Sequence, residues 1–318
     1  AADLHKRFGV DVSPDSVMIM PGGKPTMFMS ILMFGEPGAD ILYPDPGFPI
    51  YRSMIEFTGA RPIPVPIREE NGFAFSADET LKLITPQTRL LIITSPANPT
   101  GGVTPKREVD KLVAGLAKWP DVCVLSDEIY DHMVYDGETH VCLLSYASIR
   151  DRLILLNGWS KTYAMTGWRL GWMMTPERYV PALDRLAQNV YLCAPAPAQR
   201  AALAAFTGET YAICDARRDE FRARRDYLVP ALRELGFGIP HTPDGAFYIY
   251  ADCSRLTRDS ESFVLALLED AGVAITPGID FGEHRAHEHV RFAYTRPIER
   301  LREGVRRIQG FLQRSQRA

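Results

Sequence analysis

The stretch Leu153-Ile154-Leu155-Leu156-Asn157-Gly158-Trp159-Ser160-Lys161 decides how the chain is expected to fold. Its first four residues form an apolar run that is too short for a helix and ends in polar residues, which predicts a buried strand. Two other apolar runs end in the same way, because Asn98 follows Leu90–Thr94 and Asp127 follows Val122–Leu125. Ligands of parallel α/β sheets bind beyond the carboxyl ends of the strands. An amine, an amide and a carboxylate are therefore predicted at one rim of one sheet.

Short apolar runs alternate with helical patterns over the first half of the chain. The predicted strands are Val17–Met20, Ile41–Tyr43, Leu90–Thr94, Val122–Leu125, Leu153–Leu156 and Leu170–Met174. Helical patterns such as Met27–Phe34 and Lys106–Lys118 lie between them. This alternation predicts an α/β domain with a mostly parallel sheet.

The pattern changes after Pro176. A charged stretch over residues 209–235 predicts a long helix that joins two domains and carries its arginines on a solvated face. The other predicted elements are a helix at Ala198–Phe206, a strand at Ala246–Ala251, a helix at Ser260–Ala271, a strand at Val290–Tyr294, and a final helix with Pro297 in its first turn. We predict a large domain over residues 1–215 and a smaller α+β domain over residues 216–318, which includes the joining helix.

Composition narrows the class of function. The 318 residues carry a formal net charge of −3, so no basic field favours nucleic acid, and a small-molecule substrate is the better expectation. No apolar stretch approaches the roughly 20 residues of a membrane helix, so no membrane contact is expected. The five cysteines are scattered, which predicts reduced thiols and a cytoplasmic protein. Residues 1–8 match the end of a helix, so we expect a segment to precede them.

Three motifs carry a family resemblance. In this order and spacing, Asn98-Pro99-Thr100-Gly101, Asp127-Glu128-Ile129-Tyr130 and the segment Ser160–Arg169 resemble the class I aminotransferases, which are aspartate aminotransferase-like enzymes of pyridoxal-phosphate (PLP) fold type I. The resemblance extends from Val17 to the C-terminal helix. It implies a large domain with a mostly parallel mixed sheet flanked by helices, plus a smaller α+β C-terminal domain. Trp159 departs from the family pattern, which usually has a smaller apolar residue there.

The resemblance implies a role for each residue at the predicted rim. Lys161 would hold PLP as a Schiff base and then move the proton between the substrate Cα and the cofactor. Asp127 would lie against the pyridine nitrogen and keep it protonated. Tyr130 and Asn98 would hydrogen-bond the phenolic oxygen of the cofactor, and Phe48 would stack on its ring.

The phosphate and the substrate require cationic partners. Arg169 offers a bidentate fork for the phosphate, and Gly22, Gly23 and Lys24 offer backbone donors at the start of a helix. Ser160 is a further candidate phosphate ligand. The resemblance implies that Arg291 binds the substrate α-carboxylate, with Asn98 also at the substrate.

A histidine-rich segment superficially suggests a metal site. His284, His287 and His289 lie beside Glu283 and Glu288, but their spacing fits no standard zinc pattern. We expect solvated loop histidines and no metal.

The resulting prediction is a homodimeric PLP-dependent aminotransferase. It would move an amino group from an L-amino acid to a 2-oxo acid by a ping-pong mechanism, and the sequence does not identify the donor. Two alternatives remain open, because a fold does not fix a reaction. They are a PLP-dependent carbon–sulfur β-lyase and a non-enzymatic PLP-fold effector domain of a regulator.

Overall fold

The larger of two sheets has seven strands. A computed structural model describes residues 1–315 of the chain. The strands are β1 (Val17–Met20), β2 (Asp40–Asp45), β3 (Arg61–Pro66), β4 (Thr88–Thr94), β5 (Cys123–Asp127), β6 (Leu153–Gly158) and β7 (Gly171–Met174), in the order β1-β7-β6-β5-β4-β2-β3. Strands β2 to β6 pair in parallel, and β7 is antiparallel to both of its neighbours. The prediction of a mostly parallel mixed sheet is confirmed.

Strand β3 was not predicted from the sequence. Pro62, Pro64 and Pro66 recur at alternate positions in it, and prolines demote an apolar run because they lack the N–H that a sheet ladder needs. In the part of the chain that the structure describes, the strand pairs only with β2 and lies at the edge of the sheet, where alternate N–H groups would have no strand to donate to. The edge of the sheet is therefore a position at which a strand with three prolines can form.

Helices cover the large sheet and lead into the second part of the molecule. They are α1 (Ala2–Phe8), α2 (Gly23–Phe34), α3 (Ile50–Phe57), α4 (Ala77–Leu83), α5 (Lys106–Leu116), α6 (Val180–Val190), α7 (Ala196–Ala202), α8 (Gly208–Glu234), α9 (Ser260–Ala271) and α10 (Ile298–Ser315). The helix predicted at Ala198–Phe206 continues beyond α7 only as a 3₁₀ turn. Pro297 precedes α10 and does not lie within its first turn. Within residues 1–315, no helix combines the length and apolar character needed to cross a membrane.

The smaller sheet has three antiparallel strands. They are β8 (Tyr248–Asp252), β9 (Thr276–Pro277) and β10 (His289–Ala293), in the order β8-β10-β9. Helices α9 and α10 pack on each other beside this sheet. Helix α8 packs against it through Phe221, whose ring lies 5.5 Å from that of Phe247. The predicted domain boundary after residue 215 falls inside α8 and stays a prediction.

The arginines of α8 do not all lie on a solvated face, so that prediction was wrong for two of them. Arg224 and Arg225 are buried. Arg225 donates to the Pro243 carbonyl at 2.9 Å and to Asp136 at 2.6 Å. These arginines donate to carbonyls and carboxylates of distant loops, which periodicity along one helix could not indicate.

Candidate functional site

A cavity of about 490 Å³ opens at the carboxyl ends of the large sheet's parallel strands, facing the small sheet. Its walls bring together nearly every residue predicted for the site, namely Gly23, Lys24, Phe48, Asn98, Asp127, Tyr130, Ser160, Lys161, Arg169 and Arg291. Gly22 lies beside the cavity, against Arg169. The predicted convergence of an amide, a carboxylate and an amine at one rim is therefore what the chain adopts.

Asp127 ends β5 and is buried in the cavity floor. Its Oδ2 accepts a hydrogen bond from the Tyr51 hydroxyl at 2.7 Å, and its Oδ1 accepts one from the Ile129 amide at 3.2 Å. Burial raises the pKa of Asp127 to about 6, although these hydrogen bonds oppose the rise. The carboxylate is therefore mostly ionised at neutral pH, and within residues 1–315 no cationic side chain donates a hydrogen bond to it.

Tyr51 was missed by the sequence analysis. It is fully buried in the first turn of α3, three positions after Phe48. A buried tyrosine on the inner face of an amphipathic helix resembles an ordinary core residue until its hydroxyl partner is known. The only sequence signal was its place in the aromatic segment Phe48–Tyr51.

Lys161 follows β6 and is half-buried. Its Nζ lies 5.8 Å from the ring centres of both Tyr130 and Phe247. Burial lowers the pKa of Lys161, and the positive charges of Arg291 and Arg169 lower it further, while Asp127 opposes them. A lowered pKa increases the fraction of neutral amine, which is the nucleophilic and basic form.

Arg169 lies against glycines at the start of α2. A Cβ on Gly22 would approach the Arg169 Nη2 to 2.5 Å, and a Cβ on Gly171 would approach the Gly22 carbonyl carbon to 2.6 Å. Arg169 itself adopts left-handed backbone angles (φ 53°) and donates from Nη1 to the Thr166 carbonyl at 2.8 Å. A guanidinium and the free N–H groups of a helix start thus share one corner, which suits an anion such as a phosphate.

Arg291 lies on β10, on the small-sheet side of the cavity. Its Nη1 donates to Asn98 Oδ1 at 2.9 Å, and its guanidinium carbon lies 4.6 Å from the ring centres of both Tyr248 and Phe281. Burial lowers the pKa of Arg291, and its buried Nε has no hydrogen-bond partner among the described residues. A buried, unpartnered donor on a held guanidinium fits an incoming carboxylate.

The remaining predicted residues line the same walls with less defined partners. The Tyr130 hydroxyl lies 2.8 Å from the Tyr248 hydroxyl, and burial raises the pKa of Tyr130 well above its usual range. Phe48 is half-buried, with the Lys24 ammonium 5.5 Å from its ring centre. The Ser160 carbonyl accepts a hydrogen bond from Thr166 at 2.9 Å.

Comparison with known proteins identifies the family. Residues 1–308 match the family described as aminotransferase class I and II. The chain belongs to this family.

Individual relatives agree with that assignment. The valine–pyruvate aminotransferase of Mycobacterium tuberculosis is 37% identical over 315 residues, which cover 98% of this chain and 79% of that protein. The aromatic-amino-acid aminotransferase 2 of Thermococcus litoralis is 34% identical over 314 residues, covering 98% and 80% respectively. The crystal structure of the aromatic aminotransferase of Pyrococcus horikoshii superposes with a TM-score of 0.94 at 32% identity, covering 99% of this chain and 84% of that one.

The predicted family, fold and reaction class are confirmed. The chain is an aminotransferase, an enzyme that transfers amino groups. The comparisons favour neither the β-lyase nor the regulator domain.

The aminotransferase does not have three solvated histidines in its 284–289 segment, so that prediction was wrong for one of them. His284 and His287 are exposed, but His289 is buried and stacks on Tyr250 with ring centres 4.7 Å apart. Its Nδ1 pairs with the Arg285 carbonyl at 2.9 Å. Because His289 begins β10, it belongs to a buried strand and not to an exposed loop.

Within the described residues 1–315, two clusters of this aminotransferase hold atoms of metal-ligand type within 4.8 Å of one another. They are Glu128 with His140 and Cys142, and Glu69 with Asp252 and His289. In the first, Glu128 already pairs with His140 at 2.7 Å and accepts hydrogen bonds from the Ser126 hydroxyl and the Leu143 amide. In the second, the Arg285 guanidinium donates to Asp252 at 2.6 Å. Internal pairing therefore already engages Glu128 and His140 in the first cluster and Asp252 in the second.

Proposed function

We propose that this aminotransferase binds pyridoxal 5′-phosphate through Lys161 and moves an amino group from an L-amino acid to a 2-oxo acid by a ping-pong mechanism. The observation that carries the proposal is one cavity holding a lysine of lowered pKa, a buried carboxylate and two separate arginines. Each of these four groups meets a different requirement of a phosphorylated, aldehyde-bearing pyridine and its carboxylate substrate. Such a coincidence is hard to explain as packing alone.

The phosphate corner is the first support for this proposal. Gly22 has a φ of 110°, which residues with a side chain rarely adopt, and its backbone lies close to the Arg169 guanidinium. The N–H groups that begin α2 at Gly23 have no intrahelical partner, as at any helix start. Arg169, Gly22 and Gly23 would therefore hold the phosphate, with Lys24 and Ser160 as further contacts.

The pyridine ring of PLP and its reactive C4′ carbon would contact other residues than the phosphate does. When bound, PLP withdraws electrons from the substrate Cα and so makes the Cα proton removable. Asp127, ionised at neutral pH, would hold a proton on the ring nitrogen. Tyr130 and Asn98 would donate hydrogen bonds to the phenolic oxygen, and Phe48 would cover one face of the ring. Lys161, as a neutral amine, would accept the Cα proton and deliver it to the C4′ carbon.

Arg291 would bind the substrate in both half-reactions. An amino acid and a 2-oxo acid differ at Cα but share the α-carboxylate, so one arginine serves both. Its aromatic clamp and its bond to Asn98 hold the guanidinium before a substrate enters. One shared carboxylate site favours a ping-pong mechanism, in which the donor and the acceptor bind to the same site one after the other.

The molecular context is also proposed. Large apolar side chains that are exposed in the single chain support burial in a homodimer. They include five with exposed fractions from 48% to 76%, namely Trp168, Val190, Leu192, Leu203 and Ile213. None of the five cysteines is paired, which supports a reducing, cytoplasmic location. The relatives' names differ in donor, including valine, aspartate and aromatic amino acids, so the donor must be found by screening.

Reductive trapping tests the cofactor and its attachment. Purified protein supplied with PLP and then treated with borohydride should carry one pyridoxyl group, and peptide mapping should locate it on Lys161. Adducts spread over surface lysines, or none, would refute the proposal.

A half-reaction tests the ping-pong mechanism. A screen of L-amino acids without any acceptor should release one equivalent of 2-oxo acid per bound cofactor and then stop. Continued release accompanied by ammonia would indicate elimination chemistry instead.

A further inference from the structure

Tyr248 joins two parts of the cavity that the proposed function keeps separate. It begins β8 in the small sheet and is buried. Its hydroxyl lies 2.8 Å from that of Tyr130, which follows β5 in the large sheet. Its ring lies 4.6 Å from the Arg291 guanidinium carbon. One side chain thus contacts both a residue assigned to the cofactor and the residue assigned to the substrate.

The backbone of Tyr248 leaves it little freedom to move. A Cβ on Gly101 would come within 2.9 Å of the Tyr248 carbonyl oxygen, so the loop after β4 packs directly on the start of β8. The Gly245 amide donates to the Gly101 carbonyl at 2.9 Å, and Tyr248 pairs with Ala293 in the small sheet. The backbone that carries the Tyr248 ring and hydroxyl is therefore held in place.

The two hydroxyls share a single hydrogen bond, so one proton between them remains for another acceptor. If Tyr248 donates to Tyr130, the Tyr130 proton is free to point into the cavity. An anionic oxygen in the cavity favours this arrangement, because a hydrogen bond to a charged acceptor is stronger than one between neutral hydroxyls. Tyr248 would then supply the Tyr130 oxygen with a donor and fix the direction of its proton.

We propose that Tyr248 is a positioning residue of this aminotransferase, whose hydroxyl orients the Tyr130 proton and whose ring, with Phe281, clamps Arg291. This inference rests on the proposed function, because it assumes that Tyr130 faces the cofactor and Arg291 the substrate. The two parts of the Tyr248 side chain would have different roles. The hydroxyl acts on the cofactor and the ring acts on substrate binding.

The hydroxyl is tested with Tyr248→Phe. An oxygen that loses a hydrogen-bond donor holds a neighbouring proton more tightly. The pH midpoint of the bound cofactor's visible absorbance should therefore rise by roughly 0.4 to 1 pH unit, the equivalent of one ordinary hydrogen bond. The KM for the amino donor should change little, because the ring remains. The charged groups that face Lys161 and Tyr130, namely Asp127, Arg169 and Arg291, are unaltered in this variant.

The ring is tested through its partner in the clamp. Phe281→Leu removes one of the two aromatic faces on Arg291 and should raise the KM for the donor by about 2- to 30-fold, as expected for a lost cation–π contact. The absorbance midpoint should stay at the wild-type value. Tyr250→Phe is the matched control, because it removes a buried hydroxyl without a described partner from the same strand. It should change neither measurement.

The outcomes separate this inference from the proposed function. A wild-type protein that gains no cofactor absorbance with PLP overturns the proposed function and this inference with it. If the wild type has that absorbance and Tyr248→Phe leaves its midpoint unchanged, only the positioning role of the hydroxyl is wrong. If Tyr250→Phe shifts the midpoint equally, the effect comes from the strand and the inference also fails.

Discussion

The two halves of the cavity are built differently. The large-sheet half carries Asp127 as the last residue of β5 and Lys161 three positions after the end of β6, and both strands belong to one continuous sheet. The small-sheet half carries Arg291 and Tyr248 on strands reached only after α8, and it meets the first half through the Arg291–Asn98 and Tyr130–Tyr248 hydrogen bonds. Groups on one rigid sheet keep the fixed geometry that proton transfer needs. The difference predicts that lesions in the first half lower kcat and that lesions at Arg291 in the second half raise KM.

The largest effect should come from Lys161→Ala. Removal of the group that moves the proton is expected to lower kcat by on the order of 10²- to 10⁴-fold, the usual contribution of general acid–base catalysis. Single-turnover kinetics with a good donor would measure it. Lys118→Ala, at an exposed lysine, is the control and should match wild type. Near-normal turnover in Lys161→Ala would contradict the assignment of proton transfer to the large-sheet half.

Asp127→Asn should rank second. The opposite charge of a carboxylate raises the pKa of a neighbouring cationic nitrogen by about 1 to 3 units, so its loss should reduce the protonated fraction and kcat by roughly 10- to 10³-fold. PLP affinity should fall less, because Arg169 and the glycines are unchanged. Steady-state kcat and a PLP titration would compare the two, with exposed Asp121→Asn as the control. An affinity loss larger than the kcat loss would contradict this ordering.

Arg291→Lys tests the small-sheet half. A lysine keeps the charge but loses the fork, at a cost of about 1.5–3 kcal/mol for a charged hydrogen bond, which corresponds to roughly 10- to 150-fold in KM for donor and acceptor alike. The kcat should fall less than KM rises, and the cofactor absorbance should persist. Exposed Arg296→Lys is the control. If Arg291→Lys lowered kcat and left KM unchanged, the predicted difference between the two halves would be wrong.

The smallest effect should come from Tyr51→Phe. Its hydroxyl lowers the pKa of Asp127, so its removal should raise that pKa further above about 6. Protonation of Asp127 removes the negative charge that would face the PLP ring nitrogen. As the pH falls, the affinity of the apoprotein for PLP should therefore begin to weaken at a pH about one unit higher in the variant than in wild type. The affinity at pH 8 should be nearly unchanged. Tyr146→Phe is the control, because its hydroxyl pairs with Asp110 at the surface, and an unshifted profile in Tyr51→Phe would be evidence against this role.

Sequence reasoning performed best where chemistry and chain position coincide. Lys161, Asp127 and Asn98 each follow a strong apolar run, so the strand pattern alone brought them to one rim. It failed at β3, where prolines hide an edge strand, and at His289 and Arg225, whose burial depends on elements distant in the chain. Those failures share a cause, because an isolated segment does not reveal what packs on it.

The sequence by itself determined the alternation of strands and helices, the order of the motifs and the chemical groups that end each strand. These properties are local, since a strand's period and the residue after it are readable along the chain. Only the tertiary structure decided that Tyr51 meets Asp127 across 76 positions and that Arg291 meets Asn98 across 193. The first pair depends on how α3 packs on the large sheet and the second on how the two sheets approach each other, and neither arrangement is readable along the chain.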